Sequence, residues 1–195
     1  MSLPDPNDSA TLPDLLRSHL AVVFVGINPS LYSVEQGHYF ARRTNRFWPA
    51  LSRSVLSLGA REGIGVDMLL PEHDQLLPEY GFGFTDVVKR ASARASEVAP
   101  AEFTAGVRDL VAKLKTFAPR FACFHGVTGF RPLYQALSSS RAEPRLGLQD
   151  FVIGKTRLFL APNPSGANAH FKLADQTRAY DELAGWVEKP SGSFP

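Results

Sequence analysis

The sequence predicts an α/β protein: a three-layer α/β/α sandwich around a short, mainly parallel central sheet. Two observations carry this prediction. Apolar, β-branched or aromatic runs in "LAVVFVGINPS", "RFACFHG" and "TRLFLAPNPSG" read as buried strands. Segments of helical spacing separate them, and strands divided by helices pair in parallel with helices on the sheet faces. A third feature locates the working edge. Two of the runs stop at Asn-Pro-Ser, and proline pushes Asn28 and Asn163 out of helical geometry. Each asparagine then stands at a strand's carboxyl end, where open α/β sheets bind ligands.

Residues 1–10, with Pro4, Asp5, Pro6, Asn7 and Asp8, read as a flexible tail. Leu12 to Leu20 is expected to form a short helix capped by Thr11 or Asp14. Val22 to Ile27 is the first strand, and Pro29 to Arg43, carrying Gly37 and no clean period, is a long loop. "NRFWPALSRSVLSLG" reads as one helix, with Phe47, Leu51, Val55 and Leu58 in period, Asn45 as a natural N-cap and Gly59 as its stop. "DMLLPEHDQLLPEYGFGFTDVV" gives short apolar pieces broken by Pro71, Pro78, Gly81 and Gly83. "AEFTAGVRDLVAKLKTF" is the cleanest helix, with Val107, Leu110, Val111, Leu114 and Phe117 on one face. The strand "RFACFHG" and the helix "TGFRPLYQALSS" follow, then a loop, then strands or a hairpin in "QDFVIGKTRLFLAP". A last helix spans Lys172 to Val187. One domain over 11–188 is expected, with a loose tail at 189–195.

The chain of 195 residues is 44% apolar, enough for one domain with a real core. Its net charge of +2 says little about partners, but its distribution says more. Between Phe40 and Arg61 stand Arg42, Arg43, Arg46, Arg53 and Arg61 with no acid among them. Such a cluster either neutralises phosphates or forms a solvated face. The lone Cys123 excludes an intrachain disulfide and any multi-cysteine metal site, and its apolar neighbours suggest a buried strand. No basic, apolar secretory leader and no membrane-length apolar run is visible, so a soluble, intracellular protein is expected, in the cytoplasm or nucleoid if the source is bacterial.

The order of motifs carries a resemblance. "GINPS" after a buried strand, "NRFW" at Asn45–Trp48, "YGFGFTDVVKR", and "NPSG" after a late strand run in sequence over Leu20 to Val187. This pattern resembles the mismatch-specific uracil/thymine-DNA glycosylases, a branch of the uracil-DNA glycosylase superfamily. The resemblance implies a uracil-DNA glycosylase-like fold. It also implies an enzyme that takes a damaged or mispaired base out of the duplex and cuts its bond to deoxyribose. The leaving base is anionic and the sugar gains oxocarbenium character, so charge stabilisation by position matters more than strong acid–base groups. DNA is the implied partner, the chemistry requires no metal or organic cofactor, and a monomer is expected.

Carried onto this chain, the resemblance makes Asn28 the residue that orients the attacking water, whereas its alternative role is to cap a turn. Phe40 stacks on the flipped base, unless it is a core phenylalanine. Ile27 offers its backbone N–H to the base, Ser33 controls room for a 5-substituent, and Asn163 replaces the histidine of faster superfamily members. Ser30, Ser165 and Gly166 fall in the DNA-facing loops, with Arg42, Arg43 and Arg46 supplying charge.

The chain departs from the family pattern in two places. In the loop Pro164–Phe171, Ala167 is small for a wedge into the gap left by the base. Asn168 is then the candidate partner for the widowed guanine and His170 for a phosphate. In "GFGFTDVVKR", Asp86 stands where relatives usually carry a neutral or basic residue. A carboxylate there is either a second catalytic group beside Asn28 or the N-cap of a following helix. Two other classes compete. A damage-reading DNA-binding protein without cleavage would lack Asn28 or the pocket aromatic. A small-molecule nucleotide enzyme would show a glycine-rich phosphate loop, and no GxGxxG or GxxxxGK[ST] is present.

Overall fold

The computed structural model describes residues 11–138 and 143–190. The predicted tail at 1–10 and residues 191–195 of the predicted C-terminal tail lie outside the described residues, as does Ser139 at the end of the helix predicted in "TGFRPLYQALSS".

Five strands form one sheet: β1 (Val22–Gly26), β2 (Phe82–Asp86), β3 (Phe121–His125), β4 (Gly147–Ile153) and β5 (Thr156–Ala161), in the order β2-β1-β3-β5-β4. All neighbours are parallel except the β4–β5 hairpin. β2 is an addition to the predicted elements. Its run "FGFTD" is fully buried, although it holds one glycine and follows another.

Alternate residues along each strand feed two separate cores, as the two-residue period of a pleated strand requires. Val22, Phe24, Phe121 and Cys123 face α2 (Phe47–Arg53), α3 (Leu58–Ile64) and α6 (Leu173–Glu188). Val23, Val25, Ala122 and Phe124 face α4 (Pro100–Phe117) and α5 (Val127–Ser138). The three-layer sandwich is therefore as predicted, and Cys123 is a buried strand residue whose thiol pKa is pushed up by burial.

Three local predictions are corrected. Leu12–Leu20 is not a helix. Leu15 instead pairs antiparallel with Phe84 through two backbone hydrogen bonds of 2.9 and 3.0 Å, covering the outer edge of β2. Gly83 makes that approach possible, because a Cβ there would lie 2.5 Å from the Leu15 carbonyl oxygen. The predicted loop Pro29–Arg43 contains α1 (Leu31–Gln36), whose N-cap Ser30 accepts from the Ser33 amide and whose left-handed C-cap is Gly37.

The "NRFW" helix, predicted as one piece, breaks at Ser54 into α2, a short 3₁₀ turn and α3. Gly65, not Gly59, ends it. The break has a partner: Asp181 of α6 accepts from the Ser54 hydroxyl at 2.7 Å and from the Val55 amide at 2.9 Å. Among the described residues no helix is long and apolar enough to cross a membrane.

Candidate active site

The carboxyl edges of the strands open into one cavity of about 670 Å³. Gly26 to Asn28 leave β1, Asp86 ends β2, His125 ends β3 and Asn163 follows β5, and all of them line it. In the strand order, β2 and β3 lie on opposite sides of β1, and such a switch point is where open sheets bind ligands.

Asn28 is oriented by its own hydrogen bonds. Its Nδ2 donates to the Ser92 hydroxyl at 2.8 Å and to the Arg90 carbonyl at 3.1 Å. A carbonyl can only accept, so this assignment of the amide is fixed by chemistry. Both N–H groups are thereby engaged, and Oδ1 is the atom of Asn28 left to accept a hydrogen bond from a ligand or water.

Asp86 does not cap a helix. It is the last residue of β2, it is buried, and the chain continues with the Val87 and Val88 amides donating to the Gly26 and Ile27 carbonyls. Only Gly26 lets the carboxyl sit there, since a Cβ at that position would lie 2.2 Å from Asp86 Oδ1. Oδ2 is buried without a hydrogen-bond partner. Burial raises the pKa to about 7, against the opposing pull of the Lys89 ammonium. Lys89 is itself held by Asp14 at 2.8 Å, and Asp14 by Lys113 at 2.6 Å.

Phe40 stacks on Phe47 with ring centroids 4.1 Å apart and planes 16° from parallel. Phe47 thus covers one face of the ring, and Phe40 is among the residues that line the cavity. Its φ of 54° is left-handed, a costly conformation for a bulky residue. The flanking backbone is pinned on both sides to hold it. The Tyr39 amide donates to Asp74 at 2.8 Å, the Trp48 indole donates to the Tyr39 carbonyl at 2.9 Å, and the Ala41 amide donates to Ser33 Oγ at 3.3 Å. Ser33 is therefore a buried brace of the Phe40 loop as well as a cavity residue, and Ser30 donates to its hydroxyl at 3.0 Å. Ile27 lines the cavity and packs on Gly129, where a Cβ would come within 2.3 Å of it.

The second motif loop is bonded to the "NRFW" segment. The Arg46 amide donates to the Pro164 carbonyl, and its guanidinium donates to the carbonyls of Ser165 and Asn168, all within 2.9–3.0 Å. Gly166 fits against Thr44, 2.7 Å from a would-be Cβ. Arg46 thus clamps the two loops together, while Arg42 and Arg43 are exposed and Arg42 lines the cavity. The N-cap of α2 is Arg46 and not the predicted Asn45, whose Oδ1 accepts from the Phe47 amide at 2.9 Å just ahead of the helix.

Asn163 Oδ1 is engaged by the Ser165 amide at 2.9 Å. Asn168 is engaged too, its Oδ1 by the His170 amide at 3.0 Å and its Nδ2 toward the Asn163 carbonyl at 3.4 Å. Ala167 and His170 are exposed at the loop's surface.

Sequence reasoning missed two features. His125 is buried beside the Phe40–Phe47 stack, its ring steeply inclined to that of Phe40 with centroids 5.3 Å apart. Its Nδ1–H donates to the Val25 carbonyl and its Nε2 accepts from the Tyr180 hydroxyl at 2.9 Å, which fixes the neutral tautomer. Burial lowers its pKa to about 4. The signal was present, because the rule that singled out Asn28 at a strand's carboxyl end applies equally to "FACFH". The other feature is the turn at Ser92–Ser96, which forms a cavity wall including the exposed Arg94. No chemistry-bearing motif marked it.

Comparison with known proteins agrees with the architecture. The model of the Uracil DNA glycosylase superfamily matches residues 13–184. The chain is also similar to a solution NMR structure of "a putative Uracil DNA glycosylase" from Methanosarcina acetivorans. Sequence identity is 19% and the TM-score 0.57, over 93% of this chain and 99% of that one. At that identity the likeness is one of fold.

Proposed function

The chain belongs to the uracil DNA glycosylase superfamily, and from that membership we propose that it excises uracil from DNA by hydrolysing the base–deoxyribose bond. The observation that carries the reading is the convergence of a one-sided aromatic platform, Phe40, with an oriented carbonyl acceptor, Asn28 Oδ1, and a buried carboxyl, Asp86, in one cavity. A flat ring, a water and a developing cation need those three groups. The base leaves the stack and lies on the free face of Phe40. Asn28 Oδ1 accepts a hydrogen of the attacking water and aims its lone pair at C1′. The C1′–N1 bond breaks with its electron pair going to the base, and the water oxygen bonds to C1′. Ionised Asp86 stabilises the sugar cation and takes the water's proton.

The ordered GINPS, NRFW and NPSG motifs support the mismatch-specific uracil/thymine branch, with thymine and modified pyrimidines opposite guanine as further substrates. Because the Asn168 carboxamide is held within its own loop through both Oδ1 and Nδ2, discrimination of the opposite base is weak in this reading. The chemistry needs no metal, and activity should persist in excess chelator. The test is a duplex carrying one uracil. The wild-type protein should generate alkali-labile breaks at the uracil, and folded Asn28→Ala should bind the DNA but nearly cease to cleave. Full activity in Asn28→Ala would remove the water-holding role.

A further inference from the structure

We propose that Ser92 is a positioning residue for the reaction: its hydroxyl, together with the Arg90 and Pro29 carbonyls, sets which end of the Asn28 carboxamide faces the water. The inference rests on the reading of Asn28 as the residue that holds that water.

The argument is one of donor and acceptor counting. The Ser92 hydroxyl has one proton, and it donates at 2.7 Å to the Arg94 carbonyl, which can only accept. Toward Asn28 the same oxygen must therefore accept, so it meets Nδ2, at 2.8 Å. The Arg90 carbonyl, again an acceptor only, takes Nδ2 from another side at 3.1 Å. A flipped carboxamide would set Oδ1 against the Arg90 carbonyl and against the lone pairs of a hydroxyl whose proton is committed elsewhere. Three oxygens with fixed roles thus leave one productive orientation, with Oδ1 free for the water.

Ser92 is suited to hold a position. It is 5% exposed. Its backbone is stitched to the segment that follows Asn28, the Ser92 amide donating to the Pro29 carbonyl at 3.1 Å and the Leu31 amide donating to the Ser92 carbonyl at 3.3 Å. The hydroxyl and the asparagine it steers therefore ride on one bonded unit, although 64 positions separate them in sequence. Alanine at position 92 would keep those backbone bonds and remove only the acceptor. Only the Arg90 carbonyl at 3.1 Å and the Pro29 carbonyl at 3.3 Å would then hold Nδ2, so the carboxamide would be held less tightly and the flipped orientation, in which a bound water meets N–H donors, would gain population.

The experiment is a double-mutant cycle read by single-turnover excision on a uracil-containing duplex, with affinity for DNA and melting temperature measured in parallel. Ser92→Ala should lower the excision rate roughly tenfold, the scale of one lost hydrogen bond, with DNA affinity and melting temperature unchanged. Ser92→Thr, which retains the hydroxyl, should recover most of the rate. In the Asn28→Ala background, Ser92→Ala should cause no further loss, because there is no carboxamide left to steer. Wild-type rate in Ser92→Ala, or a loss of the same factor with and without Asn28, would overturn the proposal. Full activity in Asn28→Ala alone would instead sink the prior reading of Asn28, so the two failures are told apart.

Discussion

Burial turns Asp86 from an ordinary carboxyl group into a proton acceptor poised near neutrality, with its pKa raised to about 7. A general base works best when its pKa lies near the working pH. If Asp86 takes the water's proton, excision should rise with pH up to about 7 and level off above it. Asp86→Asn keeps the shape of the side chain and removes the proton acceptor. The expected result is a fall of about a hundredfold or more in single-turnover rate, a flattened pH profile and unchanged DNA affinity. A wild-type rate in Asp86→Asn would leave the water to Asn28 alone. Phe40 carries a second residue-scale lesson. Its proposed role as a stacking platform comes from the family resemblance, but its left-handed backbone and its contacts with Phe47 and His125 arise from packing between distant segments.

Among the elements, those with a clean period were legible. The fully buried strands β1 and β3, the nearly buried β5 and the amphipathic helices α4 and α6 lie close to where apolar runs and helical spacing put them. What escaped was settled by tertiary partners. Leu12, Leu15 and Leu16 have helical spacing, yet the free edge of β2 claims Leu15 for backbone pairing. The period of the "NRFW" helix runs through Ser54, yet Asp181 captures the chain there. In the same way the arginine cluster was legible as charge but not as geometry. Arg46 is committed to the second motif loop, while Arg42 and Arg43 stand exposed. Replacing Arg42 and Arg43 with alanine should reduce the slope of log affinity against log salt by about 0.9 for each phosphate that is no longer neutralised. An unchanged slope would assign both to a solvated face. Arg46→Ala should instead lower the melting temperature by uncoupling the two loops.

For the whole molecule, Asp86 and His125 set opposing pH dependences in the same core. The raised pKa of Asp86 means that its contribution to stability is present below 3.8 and is lost as pH rises toward 7. The lowered pKa of His125 means that its contribution is present above 6.5 and is lost as pH falls toward 4. In denaturation measured across that range, Asp86→Asn should gain stability relative to wild type as pH rises, and His125→Gln should gain it as pH falls. Parallel curves for a variant and wild type would show that the group does not titrate on unfolding. Both residues line one cavity, so the fold holds a neutral histidine and a half-titrated acid at the same sheet edge, and the proposed chemistry draws on the acid. The most direct test of that chemistry is excision itself. Wild-type protein and Asn28→Ala are each incubated, in excess chelator, with a duplex carrying a single uracil, and alkali-labile breaks and released base are counted. Stoichiometric uracil release and breaks at that position by wild type, with near loss in Asn28→Ala that still binds, is the expected result. No release by folded wild-type protein would contradict it.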